Sequence, residues 1–221
     1  MSKQPITANY IIQSALTAAE MDASEFVTET EALNWLNLAV GELHEILVGL
    51  FEDYFLSRVE LQPGKMEYVL PDDFFKLLKV YDTDSGQPIR RFTLDDNLPG
   101  SYQSDSFVKT RYRIMGNKII FNKDLPHLAE LWYAPQPQII NDLKDELQVS
   151  IPINWSGFLA DDITARMLAK EESDYSFYEL RKAQFVKRCK EVASERDAGE
   201  SKVVVDVYRR DLEVDDYDLT Y

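Results

Sequence analysis

Apolar residues in the first part of the chain recur every three or four positions. Between Ile6 and Met21, the residues Ile11, Ile12, Ala15, Leu16 and Ala19 fall on one face, which predicts an amphipathic helix ended by Asp22-Ala23-Ser24. A longer helix is expected from Thr28, with Glu31 three residues on as its capping-box partner. Its inner face carries Leu33, Leu36, Val40, Leu43, Leu47, Leu50 and Tyr54. The spacing then changes to alternation. SRVELQPGKMEYVLP alternates on both sides of Pro63-Gly64 and reads as a hairpin. Pro71 opens a helical turn over Asp72-Asp73-Phe74-Phe75, and LLKVYDTDSGQPIRRF resumes strand character around a turn at Asp84-Ser85-Gly86. RYRIMGNKIIFNKDL predicts a hairpin about Gly116-Asn117, and HLAELWYAPQP a further strand stopped by Pro135 and Pro137. Thr93 to Thr110, rich in Asp, Ser, Asn, Pro and Gly, reads as a loop with one helical turn at Leu94 to Leu98.

Helical spacing returns at Asn154, with Asn154 or Ser156 as the cap and Phe158, Leu159, Ile163 and Met167 on one face. After a break at Ser173-Asp174, a last helix from Tyr175 to Arg196 places Tyr178, Phe185, Cys189 and Val192 inward. Arg181, Lys182, Lys187, Arg188 and Lys190 face outward, and Ala198-Gly199 ends the helix. The remainder has neither helical period nor turn signal and reads as an extended arm. These elements predict an α+β chain that is mainly α. A bundle of long helices fills residues 1–201, with a small antiparallel β-sheet or barrel module inserted at about 56–140, and an extended C-terminal docking arm fills 202–221.

Composition narrows the class. With 45% hydrophobic and 12% aromatic residues, the chain has the make-up of a folded protein. One cysteine, Cys189, leaves no internal disulfide and points to a reducing compartment, and no window reaches the roughly twenty apolar residues of a membrane span, so no membrane is expected. The net charge of −15, from 39 acidic and 24 basic residues, opposes binding of nucleic acid through its phosphates. A like-charged wall would instead let a polyanion slide past.

Catalytic spacings are absent. His44 and His127 have no neighbouring ligand set and read as structural or surface residues, and there is no GxSxG, GxGxxG or GxxxxGK[ST] pattern. DTDSG starts like a calcium loop but has Gln87 and Thr93 where glycine and glutamate are required, so it reads as a β-turn. The pairs Asp72-Asp73, Asp95-Asp96 and Asp161-Asp162 are read at helix starts, where the dipole favours carboxylates, and Cys189 as a core residue. The basic cluster Arg181, Lys182, Lys187 and Arg188 is the one patch suited to an acidic or phosphate contact. No cofactor, metal or enzymatic activity is expected.

The arm carries the partner-binding chemistry. Its twenty residues from Lys202 extend to about 65 Å, against about 45 Å for the diameter of a globule of this length. Val203, Val205, Val207 and Tyr208 suit an added strand, while Leu212, Val214, Tyr217, Leu219 and Tyr221 are spaced anchors among five acids and no bases.

Several segments in order carry a resemblance: ALNWLNLAVGELHEIL, then YVLPDDFFKLLKVY, LWYAPQP, IPINWSGFLADDITARMLAKE with its following helix, and the extended C-terminus. In this the chain resembles the head-to-tail adaptor (connector) ring proteins of short-tailed bacteriophages. The resemblance implies a structural virion protein of the neck and tail, made in the host cytoplasm and assembled with itself as a ring, commonly a dodecamer. It implies an arm over Val203 to Tyr221 bound to the portal protein, with the loop Thr93 to Thr110 or the β-module facing a tail nozzle protein. Viral DNA would pass through the lumen without sequence-specific binding during ejection. Two alternatives remain open at this point: another ring or tail-completion protein of the virion, and a virion-associated cell-wall hydrolase using one carboxylate of Asp72-Asp73 as general acid.

Overall fold

The structure is a computed structural model and describes residues 6–21, 26–92, 109–147 and 155–196. The arm, most of the loop over 93–110, the Asp95-Asp96 pair, and the stops at Asp22-Ala23-Ser24 and Ala198-Gly199 lie outside these residues, as does Asn154.

Strand β1 (Ile6–Thr7) leads into helix α1 (Ala8–Ala18), where the Thr7 hydroxyl accepts the Tyr10 N–H at 3.3 Å. Helix α2 (Glu29–Leu50) starts as its sequence dictates, with the Thr28 hydroxyl accepting the Glu31 N–H at 3.3 Å. A 3-10 turn over Glu52–Phe55 then hands the chain to eight strands: β2 (Ser57–Leu61), β3 (Glu67–Val69), β4 (Phe74–Asp82), β5 (Gln87–Pro88), β6 (Arg90–Arg91), β7 (Arg111–Met115), β8 (Lys118–Phe121) and β9 (Ala129–Pro135). Strand β10 (Glu146–Leu147) pairs back onto β1, and α3 (Trp155–Lys170) and α4 (Ser176–Arg196) follow.

Two cores result. The helical core gathers Ile11 and Ala15 from α1, Leu36, Ala39 and Leu47 from α2, Leu159, Ile163 and Met167 from α3, and Phe185 and Cys189 from α4. α3 packs against all three other helices, and the small side chains of Ala15 and Ala39 let its neighbours approach closely. The second core, of Leu61, Val80, Ile119, Phe121, Leu131 and Tyr133, lies among the strands.

The expectation of a mainly α bundle of long helices with a small β-module is therefore overturned. Four helices share the chain, among the described residues, with ten strands in three sheets, two of them four-stranded with a core of their own. The sheets run β2-β9-β4-β5 and β3-β8-β7-β6, and β6 lies parallel to β7, so the pairing is not purely antiparallel either. The Pro63-Gly64 hairpin is also corrected. β2 pairs with β9 and β3 with β8, so the segment is a corner that carries the chain from one sheet to the other. Gly64 at φ +89 takes a conformation L side chains rarely adopt, and its N–H donates to Leu125 O at 2.9 Å. The helical turn at Asp72–Phe75 is a tight turn instead, closed by Phe74 N–H on Pro71 O at 3.0 Å, with Phe74 already in β4. The turns at Gly86 (φ +64) and Gly116 (φ +60) form where expected.

Polar side chains of α2 join the two cores. The Asn37 amide donates to Ile140 O and accepts Ile140 N–H, both at 2.8 Å. Two turns further along, His44 donates its Nε2–H to Pro135 O at 2.9 Å, its ring edge-on to Phe55 and Phe75. Together they hold the exit of β9 against the helix.

Candidate functional site

The arm residues Val203, Val205, Val207, Tyr208, Leu212, Val214, Tyr217, Leu219 and Tyr221 lie outside the described residues. The basic patch of α4 does not form one outward surface. Lys182 turns inward, its side chain 15% exposed, and its ammonium meets Asp162 Oδ1 at 2.5 Å and Glu179 at 3.1 Å. Arg181 pairs with Asp161 at 3.1 Å, Lys187 reaches Glu191 at 3.9 Å, and Arg188 is exposed. Val192, expected inside, faces solvent, whereas Phe185 and Cys189 are core residues. Burial pushes the Cys189 thiol up, against the opposing pull of Arg188. That leaves little thiolate for chemistry.

Asp161 and Asp162 occur in the middle of α3, not at its start, and both are buried. Asp162 also binds Arg166 Nε at 2.7 Å, and Arg166 Nη2 continues to Glu42 on α2 at 2.6 Å. One carboxylate thus ties α2, α3 and α4 together. Burial tends to lower the pKa of Lys182, but hydrogen bonds and charge from Asp162 and Glu179 outweigh it, so the group is held above its ordinary value. Burial raises the Asp161 pKa, with Arg181 opposing. This is the pattern of a structural ion network: each charge has a partner at hydrogen-bonding distance, and Asp162 at its centre is buried.

The other carboxylate pair has a different setting. Asp73 accepts the Tyr133 hydroxyl at 2.9 Å, and Asp72 borders a surface cleft of about 360 Å³ walled by Val69, Pro71, Phe74, Asn117 and Gln136. None of the described lining residues supplies a second carboxylate facing Asp72, which glycoside hydrolysis requires. His44 borders a small cavity of about 60 Å³ between α2 and the segment after β9, and burial lowers its pKa despite the Pro135 hydrogen bond. The Asp82 carboxylate caps its own turn, accepting Asp84 N–H at 3.0 Å. Among the described residues, no group of three His, Cys, Asp or Glu is placed to hold a metal ion, and no helix is long and apolar enough to cross a membrane.

A surface that sequence reasoning missed lies on the second four-stranded sheet. Tyr112 and Ile114 of β7 and Ile119 and Phe121 of β8 face the core, so their alternates face out. Register places Arg90 beside Arg111, then Arg113, Ile120 and Glu67 in one row, and Met115, Lys118 and Val69 in the next. The alternation in RYRIM and KIIF was the available signal, but sequence did not show which strands share a face. On the helical side, Phe177 and Leu180 are also exposed, near Tyr175 at the start of α4.

A family model described as SU10 adaptor protein matches residues 7–204. That span contains all four helices and nearly all of the strand residues. Comparison with curated proteins gives no match.

Proposed function

The chain belongs to the SU10 adaptor protein family and is a structural adaptor of a phage virion, and from that premise we propose that it joins the portal ring to the tail as a closed ring through which DNA passes. The reading rests on one observation above all, the family match over residues 7–204, which spans both cores. In it the arm over 202–221 is the portal-docking segment, held by the strand-like run Val203 to Tyr208 and the anchors Leu212 to Tyr221. The helical unit carries the arm, and the sheets face the tail nozzle. The virion neck is its place of action, after synthesis in the host cytoplasm.

The charge supports a channel. Copies that each carry −15 build a wall that repels the DNA phosphates and leaves a moving duplex free of adhesion. Ordering the arm costs about 1–2 kcal/mol per residue, so docking requires most of its anchors at once. Deletion of residues 203–221 is therefore expected to abolish co-sedimentation with portal rings while leaving the thermal midpoint unchanged. A truncated chain that joins the portal at full affinity would remove the arm from this role.

A further inference from the structure

The outward face of the β3-β8-β7-β6 sheet is out of character with the rest of the chain. Among the described residues its rows place Arg90, Arg111, Arg113 and Lys118 with the carboxylate of Glu67, on a protein of net charge −15. Lys118 meets Glu67 at 3.0 Å, and Arg113 Nε is buried with no hydrogen-bond partner among the described residues. A buried guanidinium N–H without an acceptor is costly, and an arriving acceptor would relieve it. Beside the bases stand apolar side chains, Val69 at 66% exposure and Met115 at 51%, with Ile120 half-buried between them. A phosphate backbone would make no use of Val69 and Met115, so this mixture fits an acidic-hydrophobic peptide better than DNA.

The chain contains such a peptide. Residues 211–221, DLEVDDYDLTY, interleave five acids with Leu212, Val214, Tyr217, Leu219 and Tyr221. We propose that the segment 211–221 docks on the Arg113, Lys118, Val69 and Met115 face of its own chain before assembly. The fifteen residues from 197 to 211 span up to about 50 Å, comparable with the diameter of the folded body. Tethering at that length gives an effective concentration of about 1 mM, so even a weak contact is occupied within one chain. The contact keeps the outer half of the arm off other surfaces until the portal displaces it. Because it concerns the free chain, it stands or falls independently of portal attachment.

The test uses the full chain with a nitroxide on Thr220→Cys. Cys189 is fully buried and stays unlabelled. Expected is broadening of the NMR signals of Val69, Met115 and Lys118, lost at ~0.5 M salt, where the screening length falls below ~5 Å. It should also be lost in Lys118→Glu, whose side chain is exposed, and in the full chain carrying Asp215→Asn/Asp216→Asn. Absence of broadening at this face would overturn the proposal. So would broadening that appears only between nitroxide-bearing and isotope-labelled copies mixed together, or a short DNA duplex shifting these signals while the arm does not.

Discussion

Asp162 shows how one side chain can set the arrangement of three helices. It is 1% exposed, and its two oxygens are taken by Arg166 and Lys182. Removing a partner leaves a buried charge partly uncompensated, so Lys182→Met is expected to lower unfolding free energy by about 3 kcal/mol in urea titrations. Arg188→Met on the exposed face should change it by less than about 0.5 kcal/mol. His44 gives a pH dependence. Its folded pKa is lowered from 6.5 by burial, so below that pH the unfolded chain takes up the proton first. Stability is full above pH 6.5 and declines as pH falls towards the lowered folded value. The urea midpoint should therefore drop between pH 7 and pH 5.5, and drop less in His44→Gln, whose amide can still donate to Pro135 O.

At the scale of elements, the grip of α2 on the exit of β9 decides how the two cores sit against each other. Asn37→Ala removes both hydrogen bonds to Ile140, a loss of about 2 kcal/mol, and should speed amide exchange at Ile140 more than within α2. What could be read from the sequence at this scale follows from range. Thr28 with Glu31, the turns at Gly86 and Gly116, and the strand ending at Pro135 depend on residues within a few positions of one another, and they form where expected. Pairings across the chain were not legible. MEYV does not fold back on SRVEL but crosses to KIIF, and there the Tyr68 hydroxyl bonds Gln62 O and Lys65 O at the corner while its ring packs on Phe121. The same limit applies to the α4 patch. Helical period placed Lys182 outside, but Asp162 of α3 draws it in, and only the packing of the two helices reveals that partner. The basic sheet face was hidden for the same reason, since its four bases come from three strands.

At the scale of the whole molecule there are two cores, one helical and one among the strands. The helical unit, tied through Asp162 and Glu42, provides a stiff body. The sheets present a row of bases on one face, of sign opposite to the chain's net charge. In the proposed role these parts would contact neighbours on two sides of a ring. The most direct measurement of this account is native mass spectrometry, with electron microscopy, of the full chain alone and mixed with its portal ring. Expected is a closed ring of copies seated on the portal, each copy bound through residues 203–221, and loss of that complex when 203–221 are deleted. A chain that stays monomeric beside an unoccupied portal ring, or a truncated chain that forms the same complex, would contradict it.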